Sequence, residues 1–334
     1  MSEVQLSAAR SRAESAGGGN GAPETEFAGS GYAHSKAILM GEHSVVYGAP
    51  AIAIPVDALG VHAWANPRPE GGLYLESDLY TGDRCDSEQQ TGPVRAAVAA
   101  ALEATAQTGA GVSVRLHSSI PFARGLGSSA AVGAAIGRAI GSMYSHQLDP
   151  EQLNDIIQAA ETVAHGKPSG LDARTVVAGG PIRFQQGEVT AIPVGAEFDF
   201  VIADSGVAGS TAEAVGSVRI QREADPGRVD GVVSRLGDLV ESAGADLAAG
   251  AKAALGEKMS AAHELLRAIR VSSPLLDSLV AEAMAAGALG AKLTGGGLGG
   301  CIMALVPSAA NAESVRSALE RAGAVQTWHT KVVP

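Results

Sequence analysis

Hydrophobic and polar positions alternate along several short stretches of the chain and recur every three to four residues along longer ones. Alternation is typical of half-buried strands, and the longer period is typical of amphipathic helices. Strands are predicted for residues 36–40, 51–56, 60–66, 111–120 and 199–206. Helices are predicted for residues 92–109, 149–166, 230–269 and 312–323, and residues 274–306 predict helix, strand, glycine loop and strand. Because helices and strands do not alternate strictly, the pattern favours an α+β layered architecture.

Composition divides the chain into a tail and two larger regions. Residues 1–28 are rich in Ala, Ser, Gly and Glu and bury too little apolar surface to offset the entropy of ordering, so we expect a disordered tail. The length of 334 residues suits two domains or one large domain. We expect an N-terminal domain at residues 29–190 and a C-terminal α+β domain at residues 191–334.

The formal net charge of −11 argues against the broad basic surface that nucleic acids and anionic membranes require, so neither is expected as a partner. No apolar run has the length of a membrane span, and the N-terminus lacks the apolar core of a signal peptide. Cys85 and Cys301 are far apart and show no paired spacing for zinc or a redox dithiol. These features predict a protein of the reducing cytoplasm.

Glycines are concentrated in "PFARGLGSSAA" at residues 121–131, immediately before a segment of helical composition. Glycine lets a ligand approach the backbone closely, and the first N–H groups of a helix form an anion site. One interpretation is therefore a phosphate-binding loop, and the other is a tight turn with close helix packing. The spacing is neither that of a Walker A loop nor that of a Rossmann fingerprint.

A second cluster, "KLTGGGLGG", places five glycines among residues 295–300 after a strand that ends at Thr294. A simple hairpin does not need so many glycines, which favours a functional loop. Leu298 within this loop is expected to pack inward.

Three segments now fit one pattern: "SKAILMGEHSVVYGAPAIA", "PFARGLGSSAA" and "KLTGGGLGG" resemble, in order and spacing, the three motifs of the GHMP kinases. That superfamily phosphorylates small metabolites such as galactose, homoserine and mevalonate, and the resemblance covers about residues 30–310. "GEHSVVYG" and "ETVAHGKPSGLD" (residues 161–172) are most similar to its mevalonate-phosphorylating family. One departure is that His34 and Ser35 replace the Pro-Gly common before the first-motif lysine.

The resemblance implies a two-domain fold, with an N-terminal domain like ribosomal protein S5, a C-terminal ferredoxin-like domain and the active site between them. It implies ATP-dependent phosphorylation of the C5 hydroxyl of (R)-mevalonate, for isoprenoid biosynthesis, with Mg²⁺ as the cofactor. ATP and mevalonate are then the small-molecule partners, and many relatives are homodimers.

The resemblance also assigns residues around the nucleotide. Ser129 and Glu161 would hold Mg²⁺, although a lone helical glutamate is ordinarily a solvated carboxylate. The residues expected to bind ATP are Pro121, Gly125, Leu126, Gly127, Ser128, Ser129 and Ala130.

At the acceptor, Asp172 would be the catalytic base, and Lys36 would favour loss of the hydroxyl proton. Whether Asp172 is a true base or an electrostatic orienter stays open, and without the family it would be taken for a helix N-cap or turn residue. Lys36 would ordinarily be a surface charge at a strand end. The residues expected to bind the substrate are Lys36, Glu42, His43, Asp172 and Thr211, and Gly295, Gly296 and Gly297 would shape the phosphate side of the site.

Two alternatives stay open. One keeps the kinase chemistry but uses another small alcohol or a sugar as acceptor. The other is a non-catalytic sensor of nucleotides and metabolites, which could lose Lys36, Glu161 or Asp172 without penalty, yet all three are present.

Overall fold

The structure is a computed structural model that describes residues 27–78, 80–82, 88–166 and 168–334. Residues 1–26 of the predicted tail lie outside the described residues. Phe27 and Ala28, the last two residues of that predicted tail, instead contact the folded chain: the Ala28 N–H donates to Asn66 Oδ1 at 2.7 Å, and the Phe27 ring centroid lies 6.0 Å from that of Trp64. The predicted limit of the tail at residue 28 stays a prediction.

The first part of the chain builds a seven-stranded sheet covered by helices. Its elements, in order, are β1 (Gly29–Met40), a 3₁₀ helix (Ser44–Tyr47), β2 (Ala51–Pro67), β3 (Leu73–Ser77), β4 (Tyr80–Gly82), α1 (Glu88–Ala104), β5 (Val112–Ser118), α2 (Ser128–Met143), α3 (Pro150–His165), α4 (Leu171–Ala178), β6 (Ile182–Gln185) and β7 (Glu188–Ala191). The strand order is β4-β3-β5-β2-β6-β7, and β1 pairs with β2. All of these pairs are antiparallel except β3 with β5.

Two features of this sheet differ from the predicted strands. The two strands predicted at 51–56 and 60–66 are one strand, β2, with an irregularity where its partner shifts from His34 to Ser35. Strand β1 begins at Gly29 rather than at residue 36. Side chains at Gly29 and Gly31 would collide with the backbone of α2, so these glycines allow the strand and the helix to pack closely.

The second part of the chain builds a four-stranded antiparallel sheet. Its elements are β8 (Phe198–Asp204), α5 (Thr211–Ala224), α6 (Pro226–Ala249), α7 (Lys252–Ala268), α8 (Pro274–Ala285), β9 (Gly290–Thr294), β10 (Cys301–Val306), α9 (Ala309–Arg321) and β11 (Gln326–Val332). The strand order is β11-β8-β10-β9, which is the ferredoxin-like order. The stretch predicted as helical at 230–269 is two helices separated at Gly250, which has φ 73°.

Among the described residues, no strand of one sheet pairs with a strand of the other. Strand β7 ends at residue 191, and β8 begins at residue 198. Buried side chains of both parts nevertheless belong to one large apolar cluster, built mainly from Ala, Val, Leu and Ile. The predicted domain limits of 29–190 and 191–334 stay a prediction. None of the described helices combines the length and apolar character that a bilayer span requires.

Candidate active site

Helix α2 begins at the predicted glycine loop. Gly127 is its N-cap residue with φ 70° and ψ 30°, a left-handed conformation that glycine adopts without strain. The N–H groups of the first helical turn, from Ser128 onward, lie at the positive end of the helix dipole. Among the predicted ATP-binding residues, Leu126 and Ala130 are buried. The loop and the helix start therefore provide the N–H donors and positive potential that an anion site requires.

Strand β1 carries Lys36 beside this loop. Its side chain is 3% exposed, and its Nζ lies 2.9 Å from Asp172 Oδ1 and donates to the Gly125 carbonyl at 3.1 Å. The Lys36 N–H also donates to the Leu126 carbonyl at 3.2 Å. A Cβ on Gly127 would lie 2.7 Å from Lys36 Cγ, so glycine is required for the loop to close over the lysine. Lys36 is therefore a buried cation that links the loop to the aspartate, not a surface charge.

Asp172 lies in the first turn of α4. The N-cap of that helix is Gly170, with φ 86°, so Asp172 is not the capping residue. Its side chain is half-buried, with 33% of its surface exposed. The carboxylate can therefore face a ligand while it is held by an ammonium group.

Glu161 on α3 is buried, and its Oε1 atom has no hydrogen-bond partner among the described residues. The interpretation of Glu161 as a solvated carboxylate is therefore wrong. Burial raises the pKa of the Glu161 carboxyl, the negative charge of Asp172 raises it further, and a hydrogen bond from Ser129 opposes both. His165, one turn later, is exposed with its Nε2 atom 4.0 Å from Glu161 Oε2.

This environment fits a divalent cation. A buried carboxylate with a free oxygen, next to a hydroxyl and near a second carboxylate, presents the oxygen ligands that such a cation prefers. Within the described ranges, no group of three or more His, Cys, Asp and Glu side chains could hold a metal alone. A cation at Ser129 and Glu161 would therefore complete its coordination with ligand phosphates and water.

The turn after β1 positions Glu42 and His43. His43 has φ 61°, and its Nε2 donates to the Gly296 carbonyl at 2.8 Å. This bond fixes the tautomer and leaves Nδ1 as a buried acceptor without a partner among the described residues. Burial lowers the pKa of His43, so the ring is neutral near pH 7.

Glu42 lies against a residue that the sequence did not single out. Lys292, in the middle of β9, forms a hydrogen-bonded ion pair with Glu42 Oε1, and both side chains are fully buried. The Lys292 ammonium also donates to the Leu293 carbonyl at 2.7 Å. Burial raises the pKa of Glu42 and lowers that of Lys292, while the opposite charge of each partner counteracts the shift. The sequence signal that could have identified Lys292 is a lysine within an otherwise apolar strand.

The third glycine loop lies against the other two motifs. Gly295 packs backbone to backbone on Gly125, where an added Cβ would come within 3.2 Å of the Gly125 Cα. A Cβ on Gly296 would lie 2.8 Å from the Cα of Thr211, which is exposed at the start of α5. Leu298 is only half-buried, so the expectation that it packs inward is not met.

Thr294 joins the loop to the other sheet. Its hydroxyl accepts from the Ile38 N–H at 3.1 Å and donates to the Ile38 carbonyl at 3.0 Å. Contacts among Lys36, Gly125, Asp172, His43, Gly296 and Thr294 thus bring residues of the three motifs together where the two sheets meet.

This site and the two sheets that flank it define a GHMP kinase. Residues 94–180 match the family model "GHMP kinases N terminal domain", and residues 245–325 match "GHMP kinases C terminal". Within that superfamily the chain belongs to the mevalonate kinases, and it is an enzyme of the alcohol phosphotransferase class. The predicted α+β class and GHMP kinase fold are confirmed.

Three relatives carry this assignment. Mevalonate kinase of Thermococcus sibiricus is 36% identical over 87% of this chain and 92% of its own length, and that of Pyrococcus abyssi is 36% identical over the same shares. The crystal structure of L. major mevalonate kinase in complex with R-mevalonate is 28% identical, with a TM-score of 0.78 over 92% of this chain and 96% of that one.

Proposed function

We propose that this chain transfers the γ-phosphoryl group of ATP to the C5 hydroxyl of (R)-mevalonate. The observation that carries the proposal is the ion pair between Lys36 and Asp172, with a 2.9 Å separation, next to a glycine loop that opens a helix. The solved L. major relative was crystallised with R-mevalonate, which supports the same acceptor here. An acceptor alcohol and a triphosphate would meet between these two features.

The Lys36–Asp172 pair supplies the chemistry at the hydroxyl. Asp172 accepts the C5 hydroxyl proton, and the Lys36 ammonium stabilises the negative charge that develops on that oxygen. The oxygen forms a bond to the γ-phosphorus, the bond from that phosphorus to the β–γ bridging oxygen breaks, and ADP leaves. The N–H groups at the start of α2 hold phosphate oxygens in line for this displacement.

We propose Mg²⁺ as the cation that Ser129 and Glu161 would hold. When bound, Mg²⁺ neutralises charge on the β- and γ-phosphate oxygens. The protein would contribute the buried Glu161 Oε1 atom, which has no hydrogen-bond partner among the described residues.

His43, Glu42 and Thr211 would orient mevalonate. The free Nδ1 atom of neutral His43 can only accept a hydrogen bond, so it suits a substrate hydroxyl rather than a carboxylate. Glu42 Oε2 is a second buried acceptor without a described partner. The exposed Thr211 hydroxyl can donate to the substrate carboxylate.

The test is detection of phosphomevalonate by mass spectrometry from ATP, mevalonate and Mg²⁺, with rates from a coupled ADP assay. Asp172→Asn and Lys36→Met should each lower kcat by about 10²–10⁴, the usual contribution of a positioned acid–base group. Lys331→Met, which breaks an exposed ion pair with Glu197 at 2.8 Å, is the matched control and should leave the rate unchanged.

Turnover of galactose or homoserine in place of mevalonate would contradict the proposed acceptor. ATP binding without product from any alcohol would support the sensor alternative instead. A cytoplasmic location and a homodimer stay predictions.

A further inference from the structure

We propose that Arg124 is a positioning residue that clamps the phosphate loop to the four-stranded sheet through Asp204, so that nucleotide binding depends on this contact. The inference rests on the proposed function, because it concerns the loop that would receive ATP. Arg124 lies in the loop, directly before Gly125, and Asp204 is the last residue of β8.

Arg124 donates from all three of its guanidinium nitrogens, two of them to residues at the end of β8 and one within its own loop. Its Nε donates to Asp204 Oδ1 at 2.7 Å, Nη2 donates to the Gly206 carbonyl at 3.1 Å, and Nη1 donates to the Phe122 carbonyl at 3.3 Å. The Arg124 side chain is 17% exposed and that of Asp204 is 5% exposed. Solvent therefore screens this pair far less than it screens a surface ion pair.

Asp204 is itself held in place. The same Oδ1 atom accepts the Gly206 N–H at 2.8 Å, which closes a turn directly after β8. The acceptor of the clamp thus belongs to a fixed turn on a strand buried within its sheet.

Neighbouring residues of the loop make two further contacts with the same region. The Ala123 carbonyl accepts the Gly209 N–H at 3.0 Å, and a Cβ on Gly300 would lie 2.9 Å from the Arg124 carbonyl. The clamp is therefore the polar centre of a larger contact between the loop and the second sheet.

The loop needs such external support because its own sequence does not make it stiff. Gly125 and Gly127 have φ values of 76° and 70°, and Ala123 has φ 56°, so three nearby residues adopt left-handed conformations. Glycine has many accessible conformations in a free loop, and an alanine in the left-handed conformation is sterically strained. If the loop were not clamped, the entropy lost in ordering it would weaken the binding of phosphates.

Direct contact between Arg124 and a phosphate is the competing explanation. Against it, each guanidinium nitrogen already donates one hydrogen bond to a protein acceptor, and the charge is balanced by Asp204. The two explanations predict opposite effects of removing the aspartate charge, which makes them separable.

The experiment measures the Kd of ATP in the absence of mevalonate, together with the KM of each substrate, for Arg124→Met, Asp204→Asn and the double variant. The clamp predicts that both single variants weaken ATP binding by about tenfold, the factor expected if one more residue must be ordered on binding. The double variant should bind no worse than either single variant, because both remove the same contact. The KM of mevalonate should stay within twofold.

Arg183→Met is the matched control. It breaks another ion pair between the two parts of the chain, in which Arg183 Nη2 lies 2.5 Å from Glu241 Oε1, far along the sequence from the loop. It should leave the Kd of ATP unchanged. Arg124→Lys keeps the charge but loses the planar fork, and it should bind ATP with intermediate affinity. This milder variant also provides a test if Asp204→Asn fails to fold.

Two results would overturn the clamp. One is an Asp204→Asn variant that binds ATP as well as or better than the unchanged chain while Arg124→Met binds it worse, as direct phosphate contact predicts. The other is an equal loss of ATP affinity in Arg183→Met. Absence of ATP binding by the unchanged chain would instead overturn the proposed function, and the clamp with it.

Discussion

Replacing Lys292 with methionine leaves the buried Glu42 carboxylate without its ammonium partner. Both side chains are fully buried, so no solvent screening reduces the interaction. Breaking such a pair by removing one partner costs about 3–5 kcal/mol, because an uncompensated charge stays in the interior. The Leu293 carbonyl also loses its bond from Lys292 Nζ. The expected loss is a large share of a typical unfolding free energy of about 5–15 kcal/mol.

The pH dependence of the two single variants should have opposite signs. In Lys292→Met, burial raises the pKa of Glu42 and the opposing lysine is gone. The folded state then binds more protons than the unfolded state, so the stability of this variant falls as pH rises above the ordinary glutamate value. In Glu42→Gln, burial lowers the pKa of Lys292, the folded state binds fewer protons, and stability rises as pH approaches the ordinary lysine value.

The measurement is urea unfolding at several pH values, followed by far-UV circular dichroism and tryptophan fluorescence. The chain has two tryptophans, Trp64 in β2 and Trp328 in β11, so fluorescence reports both sheets. The double variant, which removes both charges, should lose less stability than the sum of the single losses. Lys258→Met, which breaks a partly exposed pair with Asp246, is the control and should cost about 1 kcal/mol. A loss below 1 kcal/mol for Lys292→Met, or the same pH trend for both single variants, would refute the reasoning.

Three more outcomes are expected. Glu161→Gln should raise the melting temperature at pH 8 without divalent cations, because burial raises the pKa of this carboxyl and makes its charged form costly. The same variant should lower kcat by about 10² or more. An unchanged melting temperature would contradict the first expectation. Gly127→Ala should lower kcat at least about tenfold, because the new Cβ would collide with the Lys36 side chain. The control Gly180→Ala, which has open space around it, should leave kcat unchanged. Equal rates of the two variants in a coupled ADP assay would show that the loop shifts to accommodate the new Cβ. His43 should titrate below the ordinary histidine value, since burial lowers its pKa, and an NMR titration midpoint at or above that value would contradict this.

The sequence predicted best those elements whose signals are local. Asp149 and Pro150 open α3 with a capping box, and that helix lies within the predicted range of 149–166. The three motif loops also occupy the predicted positions, because glycines at left-handed φ values leave a direct mark on composition.

Elements that depend on tertiary contacts were missed. The Gly29–Ser35 part of β1 has loop-like composition, yet its glycines serve close packing on α2. Helix α5 has little apolar character and buries only Ala214 and Val218, so its periodicity is weak. Strand β11 lies at a sheet edge, pairs only with β8, and carries polar residues such as His329 and Lys331.

The residues of the candidate site likewise include some that local motifs predicted and some that they did not. Motif resemblance predicted Lys36, Glu161 and Asp172 as site residues, and the structure places these three side chains near one another. Lys292 and Arg124 were not foreseen, because their importance comes from partners 250 and 80 residues away in the sequence. Such partners are set by the fold rather than by local pattern.

The Thr294 hydroxyl hydrogen-bonds to both the N–H and the carbonyl of Ile38, as the backbone of a neighbouring strand would. Sliding of one sheet along the other would break both of these bonds at once, whereas rotation about them would preserve both. We therefore expect the enzyme to open and release its product by a hinge movement whose axis passes near this threonine, while the ends of the cleft farthest from it travel the greatest distance.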